Sequence, residues 1–248
     1  MTKFKLYKRI TQKATLLGLI LCAPVMAEEK NQALEILQSM SAEIASLESF
    51  VITGDGYTDS RLDAGQLIEN SSDVVLRVKK PDALRITNNS AESTGEVFFS
   101  EGVLSVYNGT QNFYAQTPLP AGLDEAVRFA VDEVGIEAPV LDLISSDVAS
   151  YLIEGAESVD YFGLSQFRGK SHHHIGIRTA DIDLQIWVLA EGAPLPAKMA
   201  ISSKWEGGSP RSVFFFSWNT APDIDRRKLR FEPPAGAIKI EFDLEAEQ

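Results

Sequence analysis

The sequence predicts a mainly β protein with some α: about 11 strands in one antiparallel sheet, covered by three helices. Three observations carry that expectation. Apolar residues recur at every second position over much of the chain. Turn dipeptides break these runs at short intervals. Only a few stretches space their apolar residues by three and four, as a helix face requires.

The chain opens differently. Lys3, Lys5, Lys8, Arg9 and Lys13 precede the first acid, Glu28. An apolar run from Ala14 to Cys22 follows, then Pro24, which is expected to break any helix, then Val25-Met26-Ala27. Basic, apolar and small residues in that order predict a cleavable secretory signal peptide over residues 1–27. A permanent membrane anchor needs about 20 apolar residues, more than this run offers, and no second long run occurs. Leu19-Ile20-Leu21-Cys22 allows another reading, a lipoprotein box with lipid on Cys22, but Leu21 stands where such boxes carry a small residue.

Cleavage after Ala27 leaves 248 − 27 = 221 residues and removes five bases and no acid. The net charge moves from −12 to 18 − 35 = −17. Such a surface repels nucleic acid and anionic membranes, so neither a nucleic-acid partner nor stable membrane insertion is expected. Cys22 is the only cysteine, so the mature chain has no disulfide and depends on its core. Export without disulfides points to the periplasm.

The first helix is expected from about Glu29 to Leu47, where Ala33, Leu37, Met40, Ile44 and Leu47 form one stripe. Six strands follow. Among them Val74, Leu76 and Val78 alternate with Val75, Arg77 and Lys79, and Leu84 and Ile86 with Arg85 and Thr87. Lys80-Pro81-Asp82, Glu101-Gly102 and Asn108-Gly109 mark turns between them. The second helix runs from Leu123 to Val134, with Gly135 to stop it, and the third from Pro139 to about Ile153. Five strands complete the chain. Leu184, Ile186, Val188 and Ala190 alternate there with Asp183, Gln185, Trp187 and Leu189, and turns fall at Arg168-Gly169 and Glu206-Gly207-Gly208. No linker or repeat divides residues 28–248, which read as a single domain. Sheets of more than about 10 strands rarely stay flat, so this one should curl and receive its helices on the concave face.

Candidates for chemistry are few. His172 and His174 share a strand face, and His173 points the other way with Ile175 and Ile177. The pair has chelating spacing but no recognisable third ligand; the alternative is two surface histidines and one partly buried. Asp181 and Asp183 offer a cation or acid–base pair, against the ordinary reading of a solvated surface. No Gly-x-Ser-x-Gly elbow or Gly-rich phosphate loop is present, and Gly207-Gly208-Ser209-Pro210 reads as a hairpin turn. The chain is therefore expected to be no enzyme, with no cofactor and no metal.

Aromatic residues say more. Phe214, Phe216 and Trp218 share one strand face, Val213 and Phe215 the other, so both sides of that strand are covered or one lines a cavity. The expected lining is Phe99, Tyr107, Phe113, Ile175, Ile177, Ile186, Met199, Ile201, Phe214, Phe216 and Trp218, with an ordinary packed core as the alternative. Arg226, Arg227, Lys228 and Arg230 form the one basic cluster, which either docks a partner or pairs with local acids.

Several segments together resemble a known family. They are Asp181-Ile182-Asp183-Leu184-Gln185-Ile186-Trp187 after the histidine strand, Pro194-Leu195-Pro196-Ala197-Lys198, Ser217-Trp218-Asn219, and Phe231-Glu232-Pro233-Pro234-Ala235-Gly236-Ala237. The family is one of predicted periplasmic proteins, similar in fold to the lipoprotein carrier and receptor LolA and LolB. The resemblance implies an incomplete antiparallel β-barrel of about 11 strands, lidded by helices over an apolar cavity. It implies a monomeric periplasmic carrier whose partner is a lipid, a lipoprotein acyl chain or another apolar molecule. Two other readings stay open: an envelope sensor that binds another protein through this fold, and a metal-assisted hydrolase around His172 and His174.

Overall fold

The structure, a computed structural model, describes residues 22–120, 122–136, 138–204 and 209–242. The first 21 residues of the leader, Trp205 and the turn at Glu206-Gly207-Gly208 lie outside the described residues.

Helix α1 (Cys22–Ser46) begins earlier than its apolar stripe. It runs through Pro24 rather than breaking there, because a proline in the first turn gives up only an N–H that has no helical partner. The stripe Ala33, Leu37, Met40 and Ile44 is fully buried. Lys80 closes the other end, its Nζ donating to the carbonyls of Ile44 at 2.9 Å and Ala45 at 3.0 Å. A cation there suits the negative end of the helix dipole. Burial lowers the Lys80 pKa from its ordinary value, opposed by the nearby charge of Asp124.

Six strands form a first meander: β1 (Ser49–Arg61), β2 (Leu67–Lys79), β3 (Ala83–Ser90), β4 (Thr94–Ser100), β5 (Val103–Asn108) and β6 (Phe113–Pro118). Five form a second: β7 (Ser158–Phe167), β8 (Lys170–Arg178), β9 (Ile182–Leu189), β10 (Pro196–Ser203) and β11 (Arg211–Asn219). β1 pairs antiparallel with β11, which joins the meanders into one sheet. A twelfth strand, β12 (Ile238–Lys239), pairs parallel with β6. The order is β12-β6-β5-β4-β3-β2-β1-β11-β10-β9-β8-β7, an open sheet that does not close. Two tight turns follow their sequence signals. Glu101-Gly102 and Arg168-Gly169 take positive φ at both residues, the twist two-residue hairpins need.

The segment between β6 and β7 crosses the apolar face as interrupted pieces. Leu123–Val134 forms α2 (Leu123–Arg128) and then a π turn, Phe129–Glu133. The stretch expected as a third helix is two: a 3-10 helix, Pro139–Ile144, and α3 (Val148–Leu152). The break falls at Ser145-Ser146-Asp147, where the Asp147 side chain accepts from the backbone N–H of Ser150 at 3.1 Å and caps α3. Val140, Leu141, Leu143, Ile144 and Val148 are buried against α1 and the sheet in one continuous cluster.

Candidate functional site: the concave face and its lid

Residues opposite one another on paired strands share a face, so the register sorts every strand residue. Phe50, Ile52, Leu76, Val78, Leu84, Ile86, Phe99, Ile175, Ile177, Ile186 and Met199 face the helices and belong to the core cluster. Phe214 and Phe216 join them, with Ile201 and Trp218 half-buried at the margin. Phe113 shares this face through its pairing with Asn108, but lies half-buried beside the edge strand β12, outside the cluster.

Tyr107 does not belong to this face. It pairs with Glu96 and Tyr114 on the outer side, packs on Phe231 at 5.8 Å, and its hydroxyl hydrogen-bonds the Asn112 side chain at 2.9 Å. Parity along β5 puts Leu104 and Val106 inside, which sends Tyr107 out.

Among the described residues, the inner face carries no Asp, Glu, Lys or Arg on any strand. Every such strand residue points outward. Across β3, β2, β1 and β11 the inner face changes character row by row. Leu84, Val78 and Phe50 form one row; Ile86, Leu76, Ile52 and Trp218 the next. Asn88, Val74, Gly54 and Phe216 follow, then Ser90, Ser72, Gly56 and Phe214, then Asn70, Thr58 and Ser212.

Gly54 and Gly56 let the two phenylalanine rings settle onto β1. A Cβ on Gly54 would lie 2.9 Å from the Phe215 carbonyl oxygen, and one on Gly56 would lie 2.9 Å from the Phe214 ring. The rings lie 6.4 Å apart with planes 4° from parallel.

Between these rows and the lid is a cleft of about 70 Å³, lined below by Gly54, Thr58, Ser72, Asn88 and the two rings, and above by Ala138–Val140. Ligand pockets run to about 300–1,000 Å³, so the lid is shut over a filled interior. Phe99, Ile175, Ile177, Ile186 and Met199 therefore pack as core while the helices stay in place. Larger grooves lie on the lid itself. One of about 420 Å³ is lined by Val127, Arg128, Leu141, Asp142, Asp147 and Tyr151. Another of about 520 Å³ lies between Ala45, Lys80, Asp124 and Ile144. In the first, burial pushes the Asp142 carboxyl up to about 7, and burial together with the Asp142 charge pushes the Tyr151 hydroxyl up to about 12.

The histidines serve packing. His172 is the most buried of the three, lying 4.4 Å from the Phe167 ring with Nδ1 3.0 Å from the Lys170 carbonyl. The expectation of a surface position fails for it because Phe167 folds over from β7. His174 stacks on Trp187 at 4.2 Å and meets the Gln185 amide oxygen at 3.0 Å. His173 faces inward, 2.8 Å from the Tyr161 hydroxyl. Burial lowers the pKa of all three. Among the described residues, no three His, Cys, Asp or Glu side chains group as metal ligands. Asp183 is taken by Arg178 at 3.0 Å and Lys204 at 3.4 Å, which leaves Asp181 exposed without it as a partner.

The basic cluster also finds local acids. Arg226 pairs with Asp82, Arg230 with Glu101, and Arg227 with Asp225 at 2.8 Å. The proline-rich tail beyond it sets Phe231 among Phe98, Tyr107 and Tyr114 on the outer face. Trp218 Nε1 donates to the Pro196 carbonyl at 2.8 Å, tying two of the resemblance segments together.

The glycine pair, the uncharged polar rows and Asp142 were not among the expected site residues. The rows had a partial signal: through β1 and β2 the acids Asp55, Asp59, Glu69 and Asp73 all fall at odd positions, and no charged residue falls at an even one.

Fold and face together define a lidded, open sheet whose helix-covered face carries no Asp, Glu, Lys or Arg among the described strand residues. The chain belongs to the family described as "Predicted periplasmic protein (DUF2092)", whose profile matches residues 33–243. The family expected from the C-terminal segments is thus the one found. A search of curated proteins gives no match. Among solved structures, an uncharacterised conserved protein from Thermus thermophilus is similar in fold, with 11% identity and a TM-score of 0.52, over 85% of this chain and 99% of that one. Looser likenesses include the Mycobacterium tuberculosis lipoprotein LppX (14% identity, TM-score 0.45, 79% of this chain and 99% of that one). A LolA superfamily protein from Nitrosomonas europaea is similar at 10% identity and TM-score 0.39, over 80% of this chain and 97% of that one. Among the described residues, no helix is long and apolar enough to cross a membrane.

Proposed function

We propose that the mature protein is a periplasmic carrier that holds a lipid, a lipoprotein acyl chain or another apolar molecule between the concave sheet face and its helical lid. It performs no covalent chemistry. The chain reaches the periplasm through a leader cleaved near Ala27.

One observation carries this reading: an inner sheet face without a charge on any described strand residue, closed by a lid of short, interrupted helices. Burying an acyl chain there stabilises by about 0.8 kcal/mol per CH₂. Displacing the lid exchanges one set of apolar contacts for another, so the net cost of opening is far below the full burial of its side chains.

The test uses untagged protein purified from envelope extract. Native mass spectrometry should find co-purified lipid, and delipidated protein should take up a fluorescent neutral probe at micromolar concentration. Protein that emerges free of lipid and takes up no probe defeats the proposal.

A further inference from the structure

Resting on that reading, we infer that the ligand is an amphiphile with an uncharged, hydroxyl- or amide-rich head, which sits on the polar rows beside the Phe214 and Phe216 rings.

The argument begins with the hairpin of β1 and β2. On its outer face Asp55 stands opposite Asp73, and Asp59 opposite Glu69. Like charges placed directly across strands destabilise a sheet, so this face tolerates charge freely because water solvates it. The inner face of the same hairpin carries Gly56, Thr58, Asn70 and Ser72, with no charge at all. Thr58 and Asn88 on the inner face are themselves exposed, so access to water does not by itself separate the two sides. The charges nevertheless stop at the sheet.

The polar side chains sit at one end of an apolar surface rather than scattered through it. Asn88 follows Ile86 and Leu84 on β3; Ser72 follows Val74 and Leu76 on β2. A chain lying over Ile86, Leu76 and Ile52 would bring its head to Asn88, Ser72 and Thr58, where the cleft under Ala138–Val140 already exists. Hydroxyls and amides both donate and accept, so they match a glycerol, sugar or amide head. Among the described strand residues, no Lys or Arg on this face would compensate an anionic head, and no Asp or Glu a cationic one. A charged head brought onto this face without a partner loses part of its hydration, so it should bind more weakly than a neutral head on the same chain.

Adjacent identical residues provide the control. Asn88 faces the cleft and Asn89 faces out; Ser72 faces in and Ser71 out. The experiment displaces the neutral fluorophore phenylnaphthylamine from delipidated protein with monolaurin, laurate or dodecylamine, which share one chain length. Monolaurin should displace it at a concentration about tenfold below either charged amphiphile, and the preference should persist at about 1 M salt, where surface attraction and repulsion are screened. Asn88→Asp should weaken monolaurin about tenfold and Asn89→Asp should not. Ser72→Asp and Ser71→Asp repeat the comparison if Asn88→Asp folds poorly. Equal displacement by all three amphiphiles, or equal effects of the paired variants, overturns the inference and leaves the carrier reading standing. Failure of the fluorophore to bind at all removes both.

Discussion

Gly54 and Gly56 fix how closely the Phe216 and Phe214 rings approach β1. Gly54→Ala sets a methyl 2.9 Å from a backbone oxygen, which no rotamer relieves. It should lower stability by about 1–3 kcal/mol in urea unfolding and slow probe uptake. Asp142 acts in the opposite sense. Its folded pKa of about 7 lies above its ordinary value of 3.8, so the folded protein keeps this proton after the unfolded chain has lost it. Stability should therefore fall as pH rises from about 4 to about 7 and level off above. Asp142→Asn should remove that slope. Because Asp142 keeps part of its surface in the groove, the gain at pH 7.5 should be about 1–2 kcal/mol. None of these three residues stood out in the sequence. A glycine in a strand reveals a close approach only once its neighbour is known, and an aspartate between apolar residues reads as a helix's wet side.

The two classes of helix differ in how they are held. α1 has 25 residues, a fully buried stripe and a lysine on its last carbonyls. The lid has α-helices of 6 and 5 residues joined by π and 3-10 turns. Such short pieces are not stable alone and persist through the packing of Leu123, Leu141, Ile144 and Val148. The lid should thus exchange amide hydrogens faster than α1 in the empty protein and become protected when ligand enters. Asp147 ties it down twice, capping α3 and meeting the Ser41 hydroxyl of α1 at 3.4 Å. Asp147→Ala should speed exchange over Val148–Leu152 and shorten ligand residence while leaving α1 unchanged. Unchanged exchange in α3 would show that the cap does not hold the lid. The apolar spacing of Leu123–Val134 and Pro139–Ile153 showed which side faces inward. It did not show the break, because Ser145-Ser146-Asp147 reads equally well as a polar helix face until the chain has to turn across the sheet.

At the scale of the whole molecule, charge is sorted by the sheet. The chain's net charge is −12, and 18 − 35 = −17 once the proposed leader is removed; among the described residues none of that charge lies on the inner face of the strands. Self-repulsion of that size destabilises the compact state and is screened within about 8 Å at physiological salt. The melting temperature of the mature protein should rise between low salt and about 0.15 M NaCl, whether or not ligand is present. The intact mass of the exported product should be that of a chain starting at Glu28; the mass of a chain starting at Cys22 with added lipid would replace the free carrier with an anchored one.

Residue order alone determined the two meanders of six and five strands (though not β12), the helix stripes, the inward parity of Phe214, Phe216, Ile175 and Met199, and the family. All of these rest on local periodicity or on short motifs. The tertiary structure decided what periodicity cannot encode. It joined β1 to β11, turned Tyr107 outward onto Phe231, and buried His172 beneath Phe167. It also closed the lid over a cleft of about 70 Å³. Each of these depends on residues far apart in the chain meeting in one place, and a packed core and a ligand cavity present the same alternation until the helices above them are positioned.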